Sequence, residues 1–353
     1  MADATTRRSM PKHGDSNLSS VTVDAYNCEL EDKEGFVGDR ACKSAFHRLI
    51  ETWRKPMRRA GEDPLGEESS ENLSKKQLDQ VLIEGEPEAA AVVQSAIEDF
   101  AQQLTGVVQR YLKLKAWKET ERIVVGGGLR DSRVGEIAIG RTAVLLKAAG
   151  LKIEVTPIRH HPDEAGLLGA MHLVPRWMLA GHDAILAVDI GGSNIRAGVV
   201  LLNLKKASDL SKAEIWKFEL WRHGEEKGLA RDEAIEKLVD MLKGLLRRAT
   251  KDKLQLAPFI GIGCPGVIEA DGTIERGSQN LPGKWEGKHF NLPLTLQQAI
   301  PEIAGHDALV LLHNDAVVQG LSEIPWMGKI ERWGVLTIGT GLGNAHFTSR
   351  APE

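Results

Sequence analysis

The sequence predicts an α/β protein whose chain folds into two lobes with a cleft between them. The 353 residues exceed the length at which single hydrophobic cores stop growing. Predicted strands and helices alternate along the first half, and a three-strand meander begins near residue 184 and restarts near residue 334. A cleft between lobes is the usual place for a small-molecule site, so we expect the functional residues there.

The first half carries signals for two helices followed by a strand, helix, strand unit. Apolar residues recur at helical spacing over 46–57 and again over 97–111. The strand RIVV at 122–125 ends in three glycines and is followed by a helix near 132–149 and a second strand at 152–158. This alternation predicts a parallel strand pair with a right-handed crossover.

Polar segments and one further helix complete this half. Residues 1–20 are polar and expected to be mobile, and residues 60–76 have the charge, Gly, Pro and Ser content of a surface loop. The segment at 162–178 predicts a helix in which Gly166 and Gly169 permit close packing.

From residue 184 the pattern changes to three successive strands at 184–190, 195–200 and 214–221. The signals that follow are a helix at 230–249, a strand at 258–263, a hairpin with its turn at Asp271 and Gly272, a strand at 308–315 and a helix at 316–324. The order is βββαβα plus a hairpin.

The segment after residue 334 predicts a strand, a Gly/Thr turn and a returning strand. An isolated hairpin is at best marginally stable in water, so its partners must come from the first 180 residues. We therefore predict that residues 1–183 form the main part of a larger lobe, that 184–325 form a smaller lobe, and that 326–353 complete the larger one. Chain ends often lie close together, which makes this arrangement physically accessible.

The composition excludes several classes of protein. Lys and Arg number 45 against 49 Asp and Glu, so nothing indicates a nucleic-acid or membrane-surface partner. No apolar run reaches membrane-spanning length and the polar start lacks the apolar core of a secretory signal, which predicts a cytoplasmic protein with a small-molecule partner. A homodimer is left open. Cys28, Cys42 and Cys264 are widely spaced without a CxxC pair, so we expect inert thiols rather than disulfides or zinc ligands.

The most informative segment is AILAVDIGGSNIRAGVV at 184–200. It places Asp189 at the end of an apolar strand, directly before Gly191, Gly192 and Ser193. Two glycines allow a tight turn whose N–H groups can face a phosphate, and an Asp beside such a turn commonly serves Mg²⁺. The alternative interpretation is an ordinary glycine-rich hairpin.

Several motifs together resemble those of the ROK sugar kinases (repressor, open reading frame, kinase), within the actin/hexokinase/Hsp70 superfamily. The segments are DIGGSNIRAG (first phosphate loop), GIGCPGVIEADGTIERGSQNLPGKW (sugar-binding edge), HNDAVVQGLSE (catalytic aspartate), GTGLGNA (second phosphate loop), VVGGGLRD (adenosine loop) and DEAGLLGA (the helix after it). In ordinary members the last two segments follow the second phosphate loop, whereas here they come first. The resemblance implies two ribonuclease-H-like lobes in circularly permuted order.

Two features of the family are missing. Its members carry a Gly-Glu-x-Gly-His segment after the second phosphate loop, whose Glu and His bind sugar hydroxyls, and a Cys-rich zinc motif beyond it. Residues 13–24 and 28–42 lie where the permutation would put these features, but they match neither. The identity of the sugar and the presence of zinc therefore stay open.

The resemblance implies transfer of a phosphoryl group from ATP to a hydroxyl of a hexose or hexose derivative, with Asp315 as general base. Such a reaction asks the protein mainly for alignment, charge neutralisation and a base near the attacking hydroxyl. Asp315 ends a strand, begins a helix and follows Asn314. The alternative is that Asp315 only caps the helix at 316–324, since Asp is a favoured N-cap.

The ATP and Mg²⁺ sites are expected at the glycine-rich segments. Asp189 is assigned to Mg²⁺ through water, with a turn-stabilising side-chain hydrogen bond as the alternative. Two turns are expected to hold the phosphates and a third the adenosine, unless the third is only a tight βα turn. The residues are Gly191, Gly192, Ser193 and Asn194 in the first turn, Gly339, Thr340, Gly341 and Gly343 in the second, and Gly126, Gly127 and Gly128 in the third.

The sugar is expected to meet uncharged donor and acceptor groups, because a polyol needs several of them held by a shaped loop. Ser278, Asn280 and Asn314, together with Asp315, are the candidates.

Four aromatic side chains near these segments are assigned no chemistry. Trp285 and His289 are interpreted as rim or loop packing. The pair His160 and His161 has no carboxylate at metal-ligand spacing and is interpreted as part of a solvated loop.

Two other functions compete with an ATP-dependent sugar kinase. The missing Glu/His segment favours a catalytically inactive sugar-binding sensor or scaffold, although the retention of Asp189 and Asp315 argues against it. A ROK-type transcriptional regulator would carry an added winged-helix domain, whereas residues 1–115 are needed here to complete the larger lobe and show no concentrated basic helix.

Overall fold

The computed structural model describes residues 10–350, and the strands within that range form two large sheets and two short ribbons. The strands are β1 (Val21–Tyr26), β2 (Glu31–Asp32), β3 (Gly35–Phe36), β4 (Arg122–Gly126), β5 (Glu154–Pro157), β6 (Ala184–Ile190), β7 (Ile195–Leu201), β8 (Glu214–Trp221), β9 (Leu256–Cys264), β10 (Glu302–Ile303), β11 (His306–Asp307), β12 (Leu309–Asn314), β13 (Arg332–Ile338) and β14 (Leu342–Ser349).

The helices of the described range alternate with these strands, so the protein is of the α/β class. They are α1 (Lys43–Arg59), α2 (Lys75–Glu84), α3 (Pro87–Tyr111), α4 (Arg133–Ala148), α5 (Pro162–Gly169), α6 (Arg176–Leu179), α7 (Arg231–Lys251), α8 (Leu292–Ala299), α9 (Asp315–Leu321) and α10 (Ile324–Met327). None of these helices is both long enough and apolar enough to cross a bilayer.

The first sheet joins strands from both ends of the chain. Its order is β1, β14, β13, β4, β5, with β13, β4 and β5 parallel and β14 antiparallel to both of its neighbours. The C-terminal hairpin therefore lies between β1 and β4. On one face of this sheet, Ile123, Val125 and Leu336 share an apolar core with Phe100 and Leu104 of α3.

The second sheet has the order β12, β9, β6, β7, β8. Strands β6, β9 and β12 are parallel, and β7 and β8 return antiparallel, as the meander pattern predicts. Helix α7 packs an apolar stripe of Leu238, Leu242 and Leu245 into the core of this sheet. Every residue of β6 is buried, so Asp189, the last residue but one of the strand, lies inside the protein.

Helices α5 and α9 pack against each other in the core that both sheets share. This core combines Val335 of the first sheet with Ala187 of the second, and with Leu167 of α5 and Val317 of α9. A β-carbon on Gly169 would lie 1.7 Å from the carbonyl oxygen of Val318, so only glycine allows this helix contact. The close packing expected at this position therefore depends on the missing side chain.

The polar N-terminal segment is packed where the structure describes it. The backbone N–H of Gly14 donates to the oxygen of Leu312 (3.0 Å), and the Leu312 N–H donates to Nδ1 of His13 (3.2 Å). Leu18 is buried. These contacts do not fit the mobility predicted for residues 1–20. A polar segment can be held in place by hydrogen bonds from its backbone to a strand. Residues 1–9 of the predicted mobile segment lie outside the described range.

Two other segments differ from the sequence prediction. The helix expected over 162–178 stops at Gly169, continues as a 3₁₀ turn and restarts after Pro175, whose ring and missing N–H do not suit a helix interior. The polar loop expected over 60–76 leads into α2, where Ser74 and Gln77 form a reciprocal capping box.

Candidate functional site

A cavity of about 620 Å³ lies between the two sheets, at the ends of β6, β9, β12 and β13. The glycine turns after β6 and β13 and the first residue of α9 all lie on its wall. The predicted site residues that line it are Asp315, Gly127, Gly128, Gly191, Gly192, Ser193, Asn194, Asn280, Gly339, Thr340, Gly341 and Gly343. Gly126, Asp189, Ser278 and Asn314 are not part of the wall.

The first glycine turn, between β6 and β7, is held from behind. Gly191 donates its N–H to the Asn194 oxygen (2.8 Å), and the imidazole Nε2 of buried His223 bonds to the Gly191 oxygen (2.9 Å). In the described part of the chain, the N–H groups of Gly192, Ser193 and Asn194 meet no acceptor. Successive free N–H groups of this kind suit an anion.

The second glycine turn, between β13 and β14, contacts the first. Gly339 donates its N–H to the Gly341 oxygen (3.0 Å), and the Ser193 and Thr340 hydroxyl oxygens are 3.0 Å apart. The N–H of Lys43, the first residue of α1, donates to the Gly339 oxygen (2.9 Å). Both hydroxyls and the two turns therefore meet at one place on the cavity wall, where a phosphate group would have several donors within reach.

Asp315 is the first residue of α9, but it is not the cap of that helix. The Asn314 Oδ1 accepts from the N–H groups of Ala316 (3.0 Å) and Val317 (3.3 Å), which leaves the Asp315 carboxyl on the cavity wall. Burial raises the pKa of Asp315 to about 7, and the nearby charge of Asp189 adds to the rise. A carboxyl with this pKa takes up and releases a proton near neutral pH, as a general base requires.

Asp189 is the last residue but one of β6, and it lies behind Arg196 instead of on the cavity wall. Its Oδ2 accepts from Arg196 Nη1 (3.1 Å), and Arg196 also donates Nε to Asp163 Oδ1 (2.7 Å). Arg196 lines the cavity, whereas Asp189 is only 1% exposed. Burial raises the pKa of Asp189, and Arg196 opposes this rise.

The other carboxylate oxygen of Asp189, Oδ1, is the atom to consider for a magnesium site. Oδ1 is buried and has no hydrogen-bond partner among the described residues. A β-carbon on Gly166 would lie 2.4 Å from the Asp189 carboxyl carbon, so only glycine leaves room for this side chain. In the described range no group of three or more His, Cys, Asp or Glu could hold a metal ion. The donor set fits Mg²⁺ held mainly by phosphate oxygens and water, with Asp189 accepting from one such water.

The third glycine segment lies at the end of β4. Gly127 adopts φ +84°, and a β-carbon there would lie 2.4 Å from the Ile338 oxygen, so both conformation and space require glycine. The Lys75 ammonium group, from α2, donates to the Gly128 oxygen (2.7 Å). Gly126 is the last residue of β4 and faces Ile158 instead of the cavity.

Two of the predicted sugar contacts are used inside the protein. Ser278 is buried and bonds through both its N–H (2.9 Å) and its hydroxyl (3.3 Å) to Glu286. The Asn314 amide caps α9 with its oxygen and donates its nitrogen to the Gly266 oxygen (3.0 Å). Asn280 lies on the wall and is exposed, with its β-carbon beside Gly192.

Sequence reasoning missed several residues of the wall. Asn27, Lys43, Lys75, Gln319 and Asn344 line the cavity together with the predicted residues. Gln319 lies one helical turn after Asp315, a spacing that could have indicated a shared helix face. The others come from segments with no recognisable motif and reach the cavity only through the tertiary fold.

The side chains assigned no chemistry lie away from the cavity wall. Trp285 is buried in the core of the second sheet, whereas His289 is exposed. His160 packs on the Trp326 ring, and burial lowers its pKa to about 4. His161 caps α5, where its Nδ1 accepts from Asp163 (3.1 Å).

All three cysteines are free thiols, and two of them are buried. Burial is also the main reason that the pKa of Cys264 is raised well above its usual value. No disulfide joins these thiols.

Comparison with known proteins gives a limited likeness to sugar kinases. No protein-family model and no curated protein matches the chain. Among solved structures, the chain is similar to a protein assigned as a sugar kinase from Cytophaga hutchinsonii (20% identity, TM-score 0.35, 46% of this chain and 47% of that one). The chain is also similar to a protein assigned as an N-acetylmannosamine kinase from Listeria monocytogenes (24% identity, TM-score 0.34, 47% of this chain and 47% of that one). A ROK hexokinase from Thermus thermophilus is similar at 23% identity and a TM-score of 0.33, over 46% of this chain and 45% of that one.

The extent of these matches limits what they mean for this chain. The chain spans about half the length of each of these structures. At such identities and TM-scores the likeness assigns no role to any residue. The function of this chain therefore has to be inferred from the residues of its cavity.

Proposed function

We propose that this chain transfers the γ-phosphoryl group of ATP to a hydroxyl of a hexose or hexose derivative, as a circularly permuted relative of the ROK sugar kinases. The observation that carries the proposal is the common cavity of Asp315 and the two glycine turns. The turns supply donors for phosphate, and Asp315 supplies a base whose pKa of about 7 suits neutral pH.

The reaction follows from these positions. The Asp315 carboxylate accepts the proton of the acceptor hydroxyl as that oxygen attacks the γ-phosphorus. The bond between the γ-phosphorus and the bridging oxygen breaks, and ADP leaves with the electron pair. The free N–H groups of Gly192, Ser193, Thr340 and Gly341 stabilise charge on the phosphate oxygens.

Mg²⁺ bound to the nucleotide would neutralise part of the phosphate charge. Asp189 would hold it through water, and the Gly127 and Gly128 segment would lie beside the adenosine. The side chain of Arg196, which lines the cavity next to Asp189, adds a fixed positive charge on the same side.

The permuted order is part of the proposal. We take the two five-stranded sheets, with their helices, as the two lobes of the family. In this interpretation β1 and the hairpin of β13 and β14 both belong to the larger lobe, and the second phosphate loop between β13 and β14 lies in the sheet that contains β4. Closure of the lobes on the sugar would exclude water and protect ATP from hydrolysis.

A coupled assay of ADP release tests the activity. The chain would be assayed with ATP, Mg²⁺ and a panel of hexoses and N-acetylhexosamines, with Asp315→Asn as the control. We expect release that depends on one class of sugar and is lost in the control. Release with amino sugars alone would narrow the acceptor to that class.

The competing functions give a different result in the same assay. Sugar binding measured by calorimetry without any ADP release would favour an inactive sensor and contradict the kinase proposal. Sugar-dependent binding to DNA would favour a regulator instead.

A further inference from the structure

The acceptor end of the cavity, which we define by Asn27, Gly266, Gly277, Asn280 and Asp315, is poorer in polar groups than the sequence predicts. The side chains of Ser278 and Asn314 are consumed by internal hydrogen bonds. A polyol bound beside Asp315 therefore needs other partners than these two.

The segment between β1 and β2 reaches this end of the cavity and is held on both sides. Asn27 donates its backbone N–H to the Asn344 oxygen (3.0 Å), and the next residue, Cys28, donates its N–H to Asn344 Oδ1 (2.9 Å). The preceding Tyr26 hydroxyl accepts from the Ile268 N–H (3.2 Å). The position of Asn27 is thus fixed from the first sheet and from the loop after β9.

The backbone at Asn27 adopts φ +47°, in the left-handed region. Asparagine and glycine tolerate this conformation better than other residues. The side chain lies under the glycines of the neighbouring loop, because a β-carbon on Gly277 would be 3.0 Å from Asn27 Nδ2.

The amide of Asn27 is unsatisfied, unlike those of its neighbours. Asn314 and Asn344 each use both amide atoms in hydrogen bonds. Nδ2 of Asn27 is buried without a partner in the described part of the chain, although the residue lines the cavity. Native structures leave few buried polar atoms unpaired, so the amide of Asn27 is a hydrogen-bonding group still without a partner among the described residues, on a residue that lines the cavity.

The charges around this end select the kind of ligand. Lys43, Lys75 and Arg196 are the Lys and Arg side chains on the described cavity wall, and each lies beside a glycine turn or Asp189. At the acceptor end the charged side chain nearest Asn27 in sequence is Glu29, which pairs with Arg276 (3.5 Å). An anionic acceptor would find no free cation here, whereas an uncharged polyol fits.

We propose that Asn27 binds the acceptor: its side-chain amide holds a hydroxyl group of an uncharged polyol beside the hydroxyl that Asp315 deprotonates. This assignment rests on the proposed kinase function. It gives the acceptor a contact from the N-terminal segment, where the sequence offers no recognisable sugar-binding motif.

Steady-state kinetics of Asn27→Gly test the assignment, because glycine keeps the left-handed backbone and removes only the amide. We expect the acceptor KM to rise about tenfold, as for loss of a hydrogen bond to an uncharged group, with the ATP KM unchanged. Asn203→Gly is the matched control, since Asn203 also has a left-handed φ of +49° but does not line the cavity. It should leave both KM values unchanged.

A second variant guards against a folding defect. Asn27→Asp has the same shape but cannot donate from the second oxygen, so it should also raise the acceptor KM at pH 7.5. If Asn27→Gly and Asn27→Asp keep the acceptor KM of an active enzyme, the assignment is overturned while the kinase function stands. A parallel rise in the ATP KM would indicate a structural role and would also overturn it.

The failure of the kinase function gives a separate signature. If the unsubstituted chain binds a sugar in calorimetry without ADP release, Asn27→Gly should still weaken that binding about tenfold. Absence of both release and binding in the unsubstituted chain would overturn both proposals.

Discussion

The ends of β6 and β12 present the same side chain in opposite environments. Asp189, the last residue but one of β6, bonds to Arg196 and lies against Gly166, whereas Asp315 follows β12 and lines the cavity. The two are near enough for the charge of Asp189 to raise the pKa of Asp315. Parallel strands bring both acids to one edge, and the neighbouring residues then divide their roles.

The surroundings of the two carboxyls indicate which features favour a base. Asn314 takes over the capping of α9, so the Asp315 carboxyl is free to accept a proton. The carboxyl of Asp189 in β6, by contrast, forms an ion pair with Arg196. An unneutralised carboxyl at a cavity wall suits proton transfer, while a paired and buried one suits a fixed electrostatic role.

Asp315→Asn is expected to have the largest effect on activity. Asparagine keeps the shape but cannot accept the proton, so kcat should fall by about 10² to 10⁴, the usual contribution of a general base. Single-turnover measurements with a saturating sugar check this value. A variant that retains the full kcat would contradict the assignment of Asp315 as the base.

Gly166→Ala is expected to have the next largest effect, because it disturbs the buried carboxyl of Asp189. The new β-carbon would collide with the Asp189 carboxyl at 2.4 Å, and overpacking of this kind costs about 1–3 kcal/mol. Chemical denaturation measures the free energy of unfolding, and the ATP KM reports any displacement of Asp189.

The control for this substitution is Gly140→Ala in α4. Gly140 is exposed and has no atom within 4 Å of the added carbon. Alanine should there stabilise the helix by about 0.5–1 kcal/mol. Equal effects of the two substitutions would contradict the close approach of Gly166 to Asp189.

The pH dependence of activity should follow Asp315. Because its pKa is about 7, kcat/KM should fall about tenfold for each pH unit well below 7 and level off above it. A profile measured between pH 5 and pH 9, with the coupling enzymes in excess, checks this limb. A profile that stays level from pH 5 to pH 9 would indicate a base with an ordinary carboxyl pKa and argue against Asp315 as the base.

Much of the fold could be predicted from the sequence, because apolar periodicity and glycine placement are local signals. The strand that contains Asp189 and the meander after it are examples. The strands β1 to β3 and helix α2 were not predicted, since their segments are short or polar and gain order from contacts with distant strands. The marginal stability of an isolated hairpin predicted that the C-terminal hairpin takes its partners from the first 180 residues, and in the sheet it lies between β1 and β4.

The residues of the candidate site also fall into those with a local sequence signal and those without one. The glycine turns could be located because only backbone approach requires those residues, as at Gly127. Asn314, predicted as a sugar contact, is the cap of α9, a role that the sequence indicated for Asp315 only as an alternative; both residue types are good N-caps, and a helix start is uncertain by one residue. Asn27 and Lys75 gave no local signal, since their place on the wall depends on the packing of the whole N-terminal half.

The last expected effect is on stability, and it separates the two acids by pH. The pKa of Asp315 lies near 7 in the folded chain and near its ordinary value of 3.8 in the unfolded chain. Below pH 4 both states are protonated, so the group costs nothing. Between pH 4 and pH 7 the unfolded state alone ionises, so stability falls as pH rises, and above pH 7 the penalty is constant.

Asp315→Asn removes this penalty. The Tm of the variant should therefore exceed that of the unsubstituted chain by an amount that grows from pH 4 to pH 7 and then stays level. Asp189→Asn should not give this rise in Tm, because it leaves Arg196 facing a neutral partner and removes a buried ion pair. Scanning calorimetry at pH 4, 5.5, 7 and 8.5 measures both series, and a Tm difference for Asp315→Asn that does not change with pH would show that this carboxyl ionises freely in the folded protein.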